Sequence, residues 1–234
     1  MLCLNDERIS FSAITVAARA SPLSQAQVKE VLAHIKQEHP IVDFVPHYIA
    51  TTGDLDQLTS LRNLEKTDFF TREVDALVLN GQCRIGIHSA KDLPSPIARG
   101  LVVICLTQSI DSSDSLVLRE DCALDTLSRN AIIATSSVRR EQMVRELRPD
   151  ARFIDLRGTI HQRLAKLESG EPDGVVIAEA ALIRLGLTHL NRVKLPGDGS
   201  DGQGQLAVLA REGDEEMREL FACMDVRSAI KSVD

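Results

Sequence analysis

Tryptophan is absent from this chain, tyrosine occurs once, and aromatic residues make up 3% of its 234 positions. So small a supply excludes the aromatic platforms on which single-stranded nucleic acid is stacked. The formal net charge of −7 points the same way, because gripping a phosphate backbone with the whole surface needs the opposite sign. No apolar run approaches the ~20 residues that cross a bilayer. The first ten residues carry Asp6, Glu7 and Arg8, where a secretory signal would be basic and then apolar. The five cysteines (Cys3, Cys83, Cys105, Cys122 and Cys223) are odd in number, widely separated and never in a CxxC. Neither a disulfide framework nor a zinc site is therefore expected. The six histidines form no HExxH or other ligand spacing, so no metal is expected either. These absences describe a cytoplasmic protein without nucleic-acid or membrane partners, expected as a monomer.

What the chain has is an ordinary globular supply of apolar residues, 44%, beside 26% charged ones. At this length that suffices for one large domain or two modest ones. Residues 14–18 read as a short buried strand. Ser21 and Pro22 then mark a helix start, the first as N-cap and the second at the first helical position. The spacing of Val28, Val31, Leu32 and Ile35 predicts a helix to about residue 34 with one apolar face. Residues 42–49 alternate as a second strand, and 51–68, polar and poorly periodic, read as a mobile loop. A helix over 69–79 turns Phe70, Val74, Leu77 and Val78 inward, and strands follow at 85–89 and 101–105.

Residues 108–115, rich in Ser and Asp, form the clearest linker, and after it the pattern starts again. Strands at 131–134, 152–156 and 174–178 alternate with helices at 138–147, 159–167 and 179–185. A second flexible stretch covers 197–204, followed by a strand at 206–210 and a short helix at 215–224. That last segment finds no partner in the second half and is expected to cross back to the first. The resulting fold class is α/β, with two lobes, each a mainly parallel sheet flanked by helices, and a cleft between them. The first lobe comprises 1–108 with 205–234, and the second 109–204.

Two constellations carry chemistry. In Ile85-Gly86-Ile87-His88-Ser89-Ala90-Lys91-Asp92-Leu93-Pro94 an apolar strand ends in Ser89, Lys91 and Asp92. Ligands of open α/β sheets bind outside such strand ends, and an Asp beside a Lys suits the stabilisation of a developing cation. His88, after two apolar strand residues, reads as a core histidine. The second constellation is Thr135-Ser136-Ser137-Val138-Arg139-Arg140, where hydroxyls, a helix start and two guanidinium groups make an anion site. Arg157, Gly158 and Arg163 lie close by in sequence. Residues 131–170 hold eight basic against five acidic side chains, leaving 19 against 29 elsewhere, a balance of −10. A basic island in an acidic protein suits a ligand with several carboxylates or phosphates. Arg145, Arg148 and Arg152 read as a solvated helix face. Arg139, Arg140, Arg157 and Arg163, where strands become helices, read as ligand contacts, and Arg19 with Ser21 repeats the arrangement in the first half. The glycine-rich stretch 197–204 lacks the Gly-Lys-Ser/Thr ending of a phosphate loop.

Taken together, the motifs resemble the porphobilinogen deaminase family. They are Ala18-Arg19-Ala20-Ser21-Pro22-Leu23, Phe70-Thr71-Arg72-Glu73, His88-Ser89-Ala90-Lys91-Asp92-Leu93-Pro94, Thr135-Ser136-Ser137-Val138-Arg139-Arg140, Leu156-Arg157-Gly158-Thr159, Arg163-Leu164-Ala165-Lys166-Leu167 and Gly202-Gln203-Gly204. They stand in the family's order over nearly the whole chain. The resemblance implies lobes like those of periplasmic binding proteins, and a transferase that joins four porphobilinogen units head to tail with loss of ammonia. It implies Asp92 as the catalytic aspartate that contacts pyrrole N–H groups and stabilises cationic intermediates. It implies Arg19, Ser21, Ser89, Lys91, Thr135, Ser136, Ser137, Arg139, Arg140, Arg157, Gly158 and Arg163 as the groups around the acetate and propionate carboxylates, with His88, Gln203 and Phe70 as further candidates. The implied cofactor is a dipyrromethane primer.

Two departures accompany the resemblance. The family's Gly-Gly-Lys-Gly-Leu-Phe segment corresponds here to Glu65-Lys66-Thr67-Asp68-Phe69-Phe70. The family also anchors its primer on the cysteine of a Gly-Gly-Cys loop in a third domain, and the 234 residues, which end about where that domain would begin, contain no such loop. Three readings follow: a noncovalent primer, an anchor on another cysteine, or a noncatalytic two-lobed protein that binds a polycarboxylate.

Overall fold

The computed structural model describes residues 13–64 and 66–228, so Cys3 lies outside the described residues. Strand β1 (Ile14–Arg19) leads into helix α1 (Pro22–Glu38). The Ser21 hydroxyl accepts the Ser24 N–H at 3.3 Å with Pro22 opening the helix, as its sequence predicts. Val28, Val31 and Ile35 are fully buried and Leu32 packs beside them. Each such burial stabilises by about 1.5–3 kcal/mol, which fixes this helix on the sheet. Strand β2 (Phe44–Ile49), helix α3 (Arg72–Leu79), and strands β3 (Ile85–Ser89) and β4 (Leu101–Leu106) follow. Between β2 and α3 the chain forms the one-turn helix α2 (Thr52–Leu55) and a 3-10 turn over Leu61–Asn63.

The second half contains β5 (Asp114–Leu118), β6 (Ile132–Ala134), α4 (Val138–Leu147), β7 (Arg152–Ile154), α5 (Ile160–Glu168), β8 (Gly174–Ala178), α6 (Glu179–Arg184) and β9 (Arg192–Lys194). Strand β10 (Leu206–Arg211), helix α7 (Glu215–Phe221) and a 3-10 turn over Ala222–Met224 follow. The strands form two five-stranded sheets, in the orders β2-β1-β3-β10-β4 and β7-β6-β8-β5-β9. In each, four strands run one way and one, β10 or β5, runs against its two neighbours. Each antiparallel strand is the one that enters its sheet straight from the crossing between the halves.

Alternation along the strands loads both faces of each sheet. In β10, Leu206, Val208 and Ala210 face α1 and α7, while Ala207 and Leu209 face α3. In the second sheet Val175 and Ile177 pack with Leu167 and Leu182 on one face, and Val176 with Met143 on the other. The carboxyl ends of β1, β3, β7 and β8 meet at the cleft.

Three local expectations are corrected. Within 51–68 two short helical turns form, Thr52–Leu55 and Leu61–Asn63, the first because Thr51 and Asp54 make a capping box that nucleates α2. The linker expected to run to residue 115 stops at 113, since Asp114 and Ser115 begin a strand buried along its whole length. Phe70 precedes α3 and is half-buried at the cleft, outside the helix's apolar face.

Candidate active site

A cavity of about 510 Å³ lies between the two sheets. It falls in the range of small-molecule sites. Its walls come from strand ends and the turns that follow them: Arg19 at the end of β1 and Ser21 after it, Ser89 at the end of β3 with Lys91 and Asp92 after it, Arg157 and Gly158 after β7, and Ala178 at the end of β8. Arg140 from the first turn of α4, Arg163 from α5 and Phe70 complete the group. The backbone explains the convergence. β3 ends at Ser89 and tightens into a 3-10 turn over Ala90–Asp92, which carries Lys91 and Asp92 to the cleft wall. Gly158, at φ +99°, makes the left-handed turn before Thr159 caps α5.

The charges on this wall fall into two sets. Arg19 is ion-paired with Asp54, and its guanidinium carbon lies 4.4 Å from the Phe70 ring centroid. Burial alone would raise the Asp54 carboxyl, but the Arg19 hydrogen bond and charge hold it below its usual value. Arg140 pairs with Asp114 at 2.6 Å. Lys91, Arg157 and Arg163, by contrast, have no carboxylate within salt-bridge distance among the described residues. Arg163 donates from Nε to the Gly158 carbonyl at 2.9 Å, and Arg157 donates to the Gly53 carbonyl at 3.0 Å. The Arg157 Nε is buried without a partner.

Crowding among these cations leaves a physical mark. Burial, with Arg140 beside it, pulls the Lys91 ammonium down to about 8, against the opposing pull of Asp92. Arg163 is pulled down to about 10, first by burial and then by Arg140, Arg157 and Arg19. Three uncompensated cations facing one cavity form a site prepared for anionic groups, and Asp92 is the acid set among them.

Segment 51–62 of the first half reaches across the cavity mouth to the second. Arg62 donates to Asp155 at 2.7 Å and pairs with Glu141, while the Ser60 hydroxyl donates to Asp155 at 2.5 Å. Gly53 is required under this strap, since an added Cβ would overlap the Phe70 ring and lie 2.9 Å from the Phe69 carbonyl oxygen. On another side of the cleft Arg184 joins Glu30 of α1 at 2.7 Å.

Several predicted residues stand apart from the cavity. Thr135, Ser136 and Ser137 are absent from its wall. Ser136 Oγ accepts the Leu156 N–H at 3.3 Å and Thr135 Oγ1 accepts the Ser137 N–H at 3.3 Å, so these hydroxyls fasten the turns together. Arg139 points to Asp114 at 2.6 Å and to the Asp198 carbonyl at 2.8 Å. Gln203 is buried and donates to the carbonyls of Ser112 and Ser113, tying the two crossing strands. His88 Nε2 lies 3.0 Å from Asp75 Oδ1, both side chains buried, which fits a core histidine. His88 borders a smaller cavity of about 40 Å³ behind Ser89 and Asp92. Of the described cysteines, Cys83 and Cys105 are buried in the first half, Cys122 is half-buried and Cys223 exposed, and none lines the large cavity.

Three residues at the site escape sequence reasoning. Asp54 and Asp114 are the partners of the wall's arginines, and Gln27 donates to the Ser89 hydroxyl at 2.7 Å. The capping-box spacing Thr51-Thr52-Gly53-Asp54 is the one local signal that singles out Asp54.

Comparison with known proteins accords with this geometry. Residues 14–219 match the family model described as "Porphobilinogen deaminase, dipyromethane cofactor binding domain". A probable porphobilinogen deaminase of Chlamydia pneumoniae is 34% identical over 227 residues, which cover 97% of this chain and 96% of that protein. One from Chlamydia muridarum is 40% identical over 209 residues, covering 89% and 85%. Among solved structures, a periplasmic substrate-binding protein of an ABC transporter from Coxiella burnetii superposes with a TM-score of 0.58 at 15% identity, over 93% of this chain and 94% of that one, which establishes the two-lobed fold alone. With so much of its length matched, the chain belongs to the porphobilinogen deaminase family, transferases of tetrapyrrole biosynthesis.

Proposed function

We propose that this chain condenses porphobilinogen units head to tail with release of ammonia, using Asp92 as the catalytic carboxylate. The observation that carries the reading is the seating of Asp92 in a cavity where Arg19 and Asp54 pair with each other and Arg140 with Asp114, while Lys91, Arg157 and Arg163 have no carboxylate within salt-bridge distance among the described residues. A site for simple carboxylate capture has no use for an acid facing the ligand. In a condensation that builds positive charge on a pyrrole ring, the same acid lowers the barrier by preorganised electrostatics. Asp92 accepts hydrogen bonds from pyrrole N–H groups and stabilises the cationic ring. Lys91, Arg157 and Arg163 pair with carboxylates, and Arg19, Ser21 and Arg140 extend that grip on either side. The orphaned Arg157 Nε, buried without a partner, is a donor free for a ligand oxygen. The noncatalytic alternative has only likeness of fold behind it.

A dipyrromethane fits this donor set, since its carboxylates suit the uncompensated cations. Bound there, it supplies the chain end to which porphobilinogen is added. Lys91, Arg157 and Arg163 would hold it by ion pairs, a reading supported by the absence of every described cysteine from the cavity wall. We take 1–108 with 205–234 and 109–204 as the lobes that close on it, a division supported by the entry of β10 into the first sheet. A wall drawn from one chain supports a monomer acting on a small-molecule substrate.

Purified protein is expected to consume porphobilinogen and to give uroporphyrin I after acid oxidation, with Asp92→Ala slower by about 100-fold or more. Consumption no faster than in that variant refutes the enzymatic reading. Intact-mass measurement with peptide mapping checks the noncovalent primer, and a dipyrromethane adduct on any cysteine overturns it.

A further inference from the structure

The side chain of Asp114 has no exposure at all, and nothing in the proposed chemistry uses it. It opens β5, the strand that enters the second sheet directly from the crossing between the halves. It is paired in register with Ala178 of β8, and its carbonyl accepts the Leu195 N–H at 2.8 Å. Both carboxylate oxygens are committed: Oδ2 accepts from Arg139 and Oδ1 from Arg140, each at 2.6 Å. Burial would raise this carboxyl, and the two guanidinium groups hold it below its usual value, so it stays ionised. Of its two partners only Arg140 reaches the cavity, whereas Arg139 is also tied to the Asp198 carbonyl and to Met143 Sδ.

A single ion pair would leave Arg140 free to swing its fork around one oxygen. With Oδ2 occupied by Arg139, only Oδ1 is open to Arg140. A long cationic side chain loses less freedom per bond when its planar head is held in advance. We propose that Asp114 is a positioning residue for the anion-binding wall: it holds Arg139 and Arg140 as one fork, so that Arg140 meets a ligand carboxylate in a fixed geometry while Arg139 occupies the second oxygen. This rests on the reading of the cavity as a site for carboxylates.

The sign of the effect separates positioning from charge alone. Removing a buried negative charge beside the wall would, by charge, tighten the binding of an anion. Loss of the fork weakens it. Porphobilinogen binding, measured by calorimetry in the Asp92→Ala background so that no turnover intervenes, is expected to weaken about 10-fold on adding Asp114→Asn. In the Asp92-intact protein the same change is expected to raise KM with kcat nearly kept, as for an interaction made equally before and during the reaction. Adding Asp114→Asn to Arg140→Ala is expected to have little further effect on binding, because both act through one guanidinium. Equal or tighter binding in Asp114→Asn, or full additivity with Arg140→Ala, overturns the proposal. Absence of porphobilinogen binding in every form, Asp114-intact protein included, would instead fault the ligand reading. Phenylglyoxal labelling then decides the fork without any ligand: modification of Arg140, mapped by mass spectrometry, is expected to rise in Asp114→Asn, and an unchanged rate refutes it. Should that variant not fold, Arg139→Gln frees the second oxygen for Arg140, whose labelling is expected to fall; an unchanged or higher rate refutes the fork.

Discussion

Lys91 carries a cost that can be measured. Its ammonium is held at about 8 by burial and by Arg140, whereas in the unfolded chain it titrates near 10.4. Between these values the unfolded state binds the additional proton, so this group makes stability rise with pH across that window. Below pH 8 both states hold the proton, and the folded state carries the full penalty, about 3 kcal/mol at roughly 1.4 kcal/mol for each unit of displacement. Lys91→Met keeps the aliphatic stem and removes the charge. Urea unfolding at pH 7 is therefore expected to show a gain in stability approaching about 3 kcal/mol, and at pH 9.5 a gain of only about 1.4 kcal/mol, while porphobilinogen binding is lost. A variant that is less stable than its parent at pH 7, or whose gain does not shrink at pH 9.5, refutes the account of the wall as an electrostatically strained surface relieved by anions.

Two further outcomes follow from contacts away from the reacting groups. Arg62→Ala removes the pairs with Asp155 and Glu141 that fasten segment 51–62 across the cavity mouth. Amide hydrogen exchange over 52–64 is expected to quicken several-fold with that of β3 unchanged, and raising the salt concentration on the unmodified protein should produce a smaller change in the same direction. His88→Leu removes the imidazole 3.0 Å from the buried Asp75 Oδ1, an oxygen without a hydrogen-bond partner of its own among the described residues, and denaturant unfolding is expected to report a loss of about 1–3 kcal/mol. His88→Leu together with Asp75→Leu should recover much of it, and a double variant no more stable than the single would point to a role beyond packing.

Much of this fold is legible in the residues because local signals and burial agree. Ser21-Pro22 starts α1 where the hydroxyl and the fixed proline φ dictate, and the 3.6-residue spacing of Val28, Val31 and Ile35 names its buried face. The return of 206–211 to the first sheet follows from its apolar run having no partner nearby. Strand β5 is hidden for the opposite reason. Asp114-Ser115 has the composition of a linker, and both become strand residues only because distant groups satisfy them: Arg139 and Arg140 for Asp114, Glu179 for the Ser115 hydroxyl at 2.5 Å. No window of the sequence contains those partners. The hydroxyls of Thr135 and Ser136 accept from the Ser137 and Leu156 N–H groups, off the cavity wall, and a helix start rich in Ser and Thr gives the same signal whether its groups face a ligand or one another.

The acidic balance of the chain and the basic character of its cavity are parts of one arrangement. Each peripheral arginine of the wall is matched by an acid from a loop or strand start, Arg19 by Asp54 and Arg140 by Asp114, and the strap's Arg62 by Asp155 and Glu141. The acids thereby fix the geometry of the rim and reduce its net charge, Asp114 being shared between Arg139 and Arg140. The centre keeps Lys91, Arg157 and Arg163 without such partners among the described residues, and there the positive potential is concentrated by exclusion of water rather than by number. A uniformly basic surface of equal total charge would attract any polyanion at any orientation. On the proposed function, confining the free cations to three positions around Asp92 would instead select a ligand whose carboxylates are spaced to reach them while its pyrrole N–H groups face Asp92.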